Sequence, residues 1–175
     1  MMPTTASPIA PVSKGPLETL SAQYLTFICA NEEYGVDILR VQEIRGWSAV
    51  TQMPELPPDV KGVMNLRGAI IPVVDLRARF GLEARLVDAS TVVIVLKVQN
   101  ELGEKTVGIC VDGVSDVHNV AAHAIMATPD VGGCTENHCI SGLVTLDGKT
   151  VMLLNIDRLF GLRLSATSHA PDLNG

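Results

Sequence analysis

The feature of this sequence that most limits its fold is an internal repeat. The segment Gly62–Gly81 aligns without a gap on Gly142–Gly161 at an offset of eighty residues, with five identical positions, three of them glycines. Upstream, Tyr34–Ile44 aligns on Val107–Val117 at an offset of seventy-three. Aliphatic strands resemble each other by chance, but glycines that recur in the same order indicate a duplicated unit.

Short apolar runs separated by turn signals predict an all-β fold. The runs are aliphatic and valine-rich while aromatics make up only 3% of the residues, which favours a core of pleated sheets. Each copy supplies about five strands, too few for an open sheet without exposed edges, so we expect two small closed barrels. The predicted strands are Tyr24–Ala30, Tyr34–Ile38, Val41–Arg45, Gly62–Leu66, Ile70–Val74, Thr91–Val98, Thr106–Val111, Val114–Val117, Gly142–Leu146 and Thr150–Leu154.

Each copy of the repeat ends in the same way. Asp75 in the first copy and Asn155 in the second can accept hydrogen bonds from the free N–H groups of a helical turn. Both copies then continue to Phe-Gly, and glycine can adopt the left-handed conformation that ends a helix. We therefore expect a single helical turn after each of these strands, with Phe80 and Phe160 pointing inward.

Charge and composition exclude several classes of function. The net charge is −6 and the thirteen lysines and arginines form no run, which argues against binding to nucleic acid or to an anionic membrane surface. No window reaches the roughly 18 apolar residues of a membrane span, and we expect a cytoplasmic protein without disulfides or direct membrane insertion. Residues 1–16 and 165–175 are predicted to be disordered tails.

The two copies differ at the tip of one predicted hairpin. The second copy has Asp147-Gly148, which suits a type I′ turn, in which both central residues need positive φ. The first copy has Arg67-Gly68, and a wider turn with only Gly68 left-handed would spare the arginine that conformation.

Turn formation therefore does not explain Arg67. It is either a solubilising residue on an exposed tip or a guanidinium that binds carboxylates or carbonyls of a partner. A phosphate loop is excluded because the lysine and hydroxyl that should follow the glycines are missing.

A second class of function would use Cys134, His138 and Cys139. Two thiols and an imidazole suit zinc, but no fourth ligand follows at a recognisable spacing. We therefore predict no metal site, and a zinc- or cysteine-dependent enzyme is kept as the alternative function.

Four runs closely resemble the CheW family, the coupling proteins of bacterial chemotaxis: Glu32–Gly46, Val60–Gly81, Thr91–Val98 and Val107–Val117. The resemblance extends from about Gln23 to Gly161 and implies two intertwined five-stranded β-barrels similar to SH3 barrels, with short helical turns. It implies one CheW-like domain over residues 17–164, with its copies at about 34–81 and 107–161.

The same resemblance implies an adaptor without catalytic activity and without a cofactor. Such a protein joins the cytoplasmic tip of methyl-accepting chemoreceptors to the regulatory domain of the histidine kinase CheA, beside membrane receptor arrays. The receptor contacts implied are Val41, Glu43, Lys61, Gly62, Asn65 and Arg67. The kinase contacts implied are Ile44, Val50 and Met53 at one place and Ile125, Met126, Asp130 and Val131 at another.

Two further expectations concern the predicted strand Val41–Arg45 and the residues that follow it. Val41 and Glu43 are two residues apart on one predicted strand, which would put both on the same face. Trp47, the only tryptophan, follows that strand and is either core cover or an interface anchor.

Overall fold

The computed structural model describes residues 20–48, 50–129 and 139–160. It is an all-β structure of ten strands with a few helical turns, as the sequence predicts, and the predicted tails lie outside the described residues. The strands are β1 (Ser21–Cys29), β2 (Glu32–Asp37), β3 (Val41–Gly46), β4 (Val60–Leu66), β5 (Ala69–Asp75), β6 (Val92–Asn100), β7 (Gly103–Val111), β8 (Gly113–Ala121), β9 (Ile140–Leu146) and β10 (Lys149–Leu154).

The strands form two five-stranded sheets that exchange strands between the copies of the repeat. The first barrel has the order β8-β1-β2-β10-β9, and the second barrel has the order β3-β6-β7-β5-β4. The two orders are equivalent when β1 to β5 of the first copy are exchanged for β6 to β10 of the second copy, and the reverse. β3 pairs with β6 of the other copy, and β8 pairs with β1. The two barrels are therefore intertwined.

The strand register has the same internal symmetry as the sequence repeat. Val73 lies opposite Gly108 in the parallel pair β5–β7, and Leu153 lies opposite Gly35 in the parallel pair β10–β2. A Cβ on Gly35 would lie 2.9 Å from the Leu153 side chain, and a Cβ on Gly108 would lie 2.9 Å from Val93. Glycine is favoured at both places because an added methyl group would force a neighbouring side chain to move.

Each barrel is drawn together at its open edge by a short bridge. Thr51, after edge strand β3, exchanges two backbone hydrogen bonds of 2.9 Å with Val63 of the opposite edge strand β4. In the first barrel, Met126 and Leu143 form the same bridge with bonds of 2.7 and 2.9 Å. The bridging segment crosses directly over a glycine, since a Cβ on Gly62 would lie 2.5 Å from the Thr51 carbonyl oxygen.

Three apolar clusters form the core. The largest contains residues of both sheets, such as Phe27 and Ile94, together with Phe160, and lies between the barrels. The second cluster draws on strands β4 to β7 and fills the second barrel, and the third fills the first barrel. Phe160 points inward as predicted, and Phe80 is partly buried and stacks on Tyr34 with ring centroids 5.4 Å apart.

The predicted helical turns follow β5 and β10. The turn Leu76–Arg79 begins at Asp75, whose carboxylate accepts a 3.0 Å hydrogen bond from the Arg77 N–H. The second turn occupies residues 156–160, and the Asn155 side chain accepts a 3.0 Å bond from the Arg158 N–H. Gly81 is left-handed as predicted, with φ of 70°, whereas Gly161 lies outside the described residues.

A partly buried ion pair fastens the first of these turns to the other barrel. The Arg77 guanidinium donates to both oxygens of Asp112, with a shortest N–O distance of 2.7 Å. Asp112 also accepts a 2.8 Å bond from the Ala30 N–H, which directly follows β1. A helical turn attached to the second barrel is thus connected to a strand of the first.

The second turn has the equivalent connection with the charges reversed. Asp157, at the repeat position of Arg77, accepts bonds of 3.1 and 2.6 Å from Arg40. It also accepts a 2.7 Å hydrogen bond from the N–H of Gln99 in β6. Gln99 corresponds to Ala30, because β6 pairs with β7 in the same register as β1 pairs with β2. Two ion pairs of opposite polarity therefore hold the barrels together at two related places.

The closeness of Thr51 to Gly62 predicts the effect of adding a methyl group. Gly62→Ala should lower the free energy of unfolding in urea by about 2 kcal/mol, because the obstacle is backbone that cannot rotate away. Gly46→Ala is the matched control, since a Cβ there would meet nothing within 4 Å. Equal stability of the two variants would contradict the closed edge.

The Asp112 ion pair predicts a pH-dependent stability. Burial alone would raise the pKa of Asp112, but the hydrogen bonds from Arg77 and Ala30 outweigh it and hold the pKa below its ordinary value. A depressed folded-state pKa stabilises the fold above the unfolded pKa, and this contribution is lost as the pH falls through the folded value.

Asp112→Asn should therefore lower the free energy of unfolding by about 2 kcal/mol at pH 7. The gap between wild type and variant should close as the pH falls below about 4. Urea titrations at several pH values measure it. A gap that persists in full at the lowest pH would show that the carboxylate charge is not responsible.

Candidate functional site

The residues implied as receptor contacts lie around edge strands β3 and β4 of the second barrel; we call them the β3–β4 surface. Glu43 of β3 and Arg67, which directly follows β4, form an ion pair with 2.9 Å between Oε2 and Nη2. The guanidinium is 80% exposed, whereas the Glu43 side chain is 21% exposed. Arg45 lies behind them, with its Nε 3.7 Å from Glu43 Oε1. An oriented cation is thus presented to solvent beside a half-buried carboxylate.

Val41 and Glu43 do not share a face, so that prediction is wrong. Val41 pairs with Leu96 and Glu43 pairs with Val95, which leaves Gln42 as an extra residue in a β-bulge. Because Leu96 and Val95 are neighbours on β6, they face opposite sides of the sheet. Val41 accordingly packs against the core between the barrels, whereas Glu43 is on the side of Val95, a member of the cluster inside the second barrel.

Lys61 is engaged within the fold. Its ammonium nitrogen lies 3.4 Å from an Asp75 carboxylate oxygen and 5.8 Å from the centre of the Trp47 ring. Trp47 packs against the cluster inside the second barrel, so the structure places it as cover of that core. Gly62, next to Lys61, is buried under the bridging segment and offers no side chain to a partner.

The hairpin tip of the β3–β4 surface is a strained version of its counterpart. Arg67 has φ of 52° and Gly68 has φ of 90°, and the corresponding values at Asp147 and Gly148 are 51° and 79°. Both central residues are left-handed in both copies, so the wider turn considered for Arg67 does not form. The Asn65 side chain accepts a 2.9 Å hydrogen bond from the Gly68 N–H. Arginine occupies a conformation for which asparagine, aspartate or glycine is better suited.

The two stretches implied as kinase contacts occupy equivalent places on the two barrels. Val50 precedes the bridge residue Thr51 and packs on the inner cluster, and Ile125 stands in the same relation to Met126. The exposed members are Ile44, Met53 and Met126, at 45%, 49% and 52%. Asp130 and Val131 lie outside the described residues.

The cysteines of the described segments are poorly placed for thiol chemistry. Burial raises the pKa of Cys29 to about 12 and that of Cys110 to about 11, so neither thiol ionises at neutral pH. Cys139 is also buried, while Cys134 and His138 fall outside the described segments. Within the part of the chain that the structure describes, no group of three His, Cys, Asp or Glu residues could hold a metal ion. No helix there is long and apolar enough to cross a membrane.

Comparison with known proteins agrees with the fold. A model of the CheW-like domain matches residues 23–163. The chain belongs to the CheW-like family.

Relatives in this family match most of the chain. It is 43% identical over 151 residues to the chemotaxis protein CheW of Klebsiella aerogenes, covering 86% of this chain and 89% of that protein. It is 37% identical over 138 residues to CheW of Rhizobium meliloti, covering 79% and 86%. The crystal structure of the scaffolding protein TtCheW from Thermoanaerobacter tengcongensis superimposes with a TM-score of 0.69 at 30% identity, covering 79% of this chain and 87% of that one.

Sequence reasoning missed one residue of the β3–β4 surface. Arg45 shares Glu43 with Arg67 and is the second cation at this carboxylate. The spacing of Glu43 and Arg45 could have identified it, because residues two apart on a regular strand face the same side. Both residues come after the bulge, where β3 is regular.

The strained tip predicts that a neutral residue can replace Arg67 without loss of stability. Arg67→Asn creates the Asn-Gly pair preferred in type I′ turns. It gives up an ion pair whose guanidinium is 80% exposed, and Arg45 stays 3.7 Å from the Glu43 carboxylate, so the loss costs little. The free energy of unfolding in urea should stay unchanged or rise by up to about 1 kcal/mol. A fall of more than about 2 kcal/mol would mean that Arg67 is structural.

Proposed function

We propose that this member of the CheW family is a non-enzymatic adaptor that couples chemoreceptors to the histidine kinase CheA in chemotaxis. The observation that carries the proposal is the CheW-like match over residues 23–163, joined to close relatives named as chemotaxis proteins and a solved relative named as a scaffolding protein. The zinc- or cysteine-dependent enzyme has no support from these comparisons.

The β3–β4 surface is the proposed receptor contact. A receptor tip offers a helical hairpin with an apolar stripe and polar flanks, which a groove lined by aliphatic residues and charges can match. Arg67 supplies a rigid fork of donors on the exposed side, and Glu43 and Asn65 hold the fork and its turn in place. Val41 packs on the core and Gly62 lies under the bridging segment, so both act on this contact only through the backbone of their strands. Lys61 supports the surface through Asp75 and Trp47.

The barrel ends are the proposed kinase contacts. Ile44, Val50 and Met53 belong to the second barrel, and Ile125 and Met126 to the corresponding stretch after β8. Asp130 and Val131 are included in the proposal by their positions in the sequence. The regulatory domain of CheA, which has the same fold in this family, is the proposed partner. Exposed isoleucine and methionine side chains at such ends are typical anchors of a protein interface.

The adaptor then needs rigidity and no chemistry of its own. A receptor signal reaches the kinase only if both contacts favour the same arrangement of the assembly. Each contact can be weak, because an array of many receptors and kinases at the cytoplasmic face of the membrane raises the effective concentration.

A matched pair of turn variants tests the receptor contact. Arg67→Asn and Asp147→Asn place the same Asn-Gly turn at the two equivalent tips, so both should fold as wild type does. Arg67→Asn should weaken binding to a receptor cytoplasmic fragment by about tenfold, since an interface arginine anchor is lost. Asp147→Asn should bind normally.

Binding is measured by calorimetry, and kinase activation is measured in a mixture of receptor fragment, CheA and each variant. Loss of binding by Asp147→Asn alone would show that the receptor contacts the other barrel. Wild-type protein that fails to bind either partner would overturn the proposed function.

A further inference from the structure

The first barrel contains an open cavity that the proposed function does not use. Its volume is about 170 Å³, and it lies where β1, β2 and β9 meet the helical turn at residues 156–160. Its apolar wall includes Val36, Leu154 and Ile156. The polar groups that line it are Tyr24, Asp37, Arg40, Ser141, Asn155 and Asp157.

The cavity carries one uncompensated negative charge. Arg40 and Asp157 neutralise each other through two hydrogen bonds of 3.1 and 2.6 Å. One Asp37 oxygen accepts a 2.9 Å hydrogen bond from the Leu39 N–H, and no described lysine or arginine lies within ion-pair distance of this carboxylate. Burial, and after it the charge of Asp37, raises the pKa of Tyr24, in keeping with a carboxylate beside the phenol.

The position in the second barrel that is equivalent to this cavity is occupied by a lysine side chain. Position 141 corresponds to Lys61 at the offset of eighty residues, and both residues sit in a bulge of their strand. Asn155 corresponds to Asp75, the carboxylate that Lys61 reaches at 3.4 Å. The second barrel thus fills this place with a cationic side chain of its own.

The first barrel has the acceptors at this place but no lysine. Ser141 is too short to cross the cavity, and its hydroxyl donates to the Leu153 carbonyl at 3.2 Å. Asn155 replaces the carboxylate of Asp75. The first barrel has a carboxylate on the neighbouring strand instead, because Asp37 of β2 occupies the repeat position of Cys110.

We propose that this cavity accepts a lysine side chain presented by the receptor partner, in the place that Lys61 fills in the second barrel. The volume corresponds to about five or six water molecules, which suits the five heavy atoms of a lysine side chain. The apolar wall packs the methylene stem, and Asp37, Tyr24 and the Asn155 carbonyl surround the ammonium. The net negative lining disfavours a phosphate or carboxylate ligand.

We assign the lysine side chain to the receptor because the cavity adjoins the start of β3. Arg40 lines the cavity, and the next residue is Val41, which belongs to the proposed receptor contact. This step rests on the proposed function, whereas the affinity of the cavity for a lysine side chain does not.

The first experiment tests the cavity without any partner. N-acetyl-lysine methylamide is titrated into ¹⁵N-labelled protein, with N-acetyl-norleucine methylamide as the uncharged probe, which keeps the four-carbon stem and lacks the ammonium. The lysine probe should shift the backbone amide signals of Asp37, Ser141 and Asn155 at millimolar concentration, and the norleucine probe should shift them far less. Equal responses to both probes, or shifts elsewhere only, would overturn the proposal.

Two variants remove the site by different means. Ser141→Lys supplies the missing lysine from within the chain, and Asp37→Asn removes the charge while leaving an oxygen for the Leu39 N–H. Both should abolish the response to the lysine probe. Ser115→Lys adds the same charge at an exposed serine of β8 and should respond as wild type does.

The second experiment measures binding of the receptor fragment. Asp37→Asn and Ser141→Lys should each weaken it by about fivefold, and Ser115→Lys should not. If wild type binds the fragment and both variants bind equally well, the assignment to the receptor is wrong and the proposed function stands. If wild type does not bind, the proposed function fails while the probe titration still decides whether the cavity takes a lysine.

Discussion

The exchange of β3 and β8 between the copies is the constraint on which the rest of the structure depends. Neither copy can complete a barrel alone, because the strand that covers β1 comes from the second copy and the strand that covers β6 comes from the first. The largest core cluster draws on both sheets, and the ion pairs Arg77–Asp112 and Arg40–Asp157 connect them again at the helical turns. The barrels therefore fold as one unit and have little freedom to move against each other, which is the mechanical property an adaptor needs.

Duplication also explains where this chain can be specialised. Positions that maintain the barrels are alike in both copies, such as Gly62 and Gly142 beneath the bridging segments. Where the fold tolerates different residues at equivalent positions of the two copies, one copy can carry a residue that binds a partner. Arg67 stands against Asp147 at one such pair and Lys61 against Ser141 at another. The first difference places an exposed guanidinium on a strained turn, and the second leaves a cavity where the other barrel is filled.

The strands, the helical turns and their caps were predictable because each depends on a local pattern. Alternating apolar residues, an Asp or Asn before a helical turn and Phe-Gly after it act over a few residues. The bulge at Gln42 was not predictable, since one extra residue reverses which face Glu43 occupies without altering the composition of the strand. The conformation of Arg67 was likewise left open by its local preference, because the register of β4 against β5 leaves only two residues for the tip and makes both left-handed.

Rigidity decides how a protein without chemistry can transmit a signal. An adaptor shifts a kinase equilibrium only by the difference in free energy with which it binds the two states, so any slack between its contacts reduces that difference. Here the β3–β4 surface and the bridge at Thr51 share the second barrel, and residue 63 belongs to both the bridge and β4. A displacement imposed on Arg67 at the end of β4 therefore acts on a strand that is hydrogen-bonded to the barrel end itself. Because Val63 belongs to both the strand and the bridge, the tip of β4 and the barrel end move together as one rigid body.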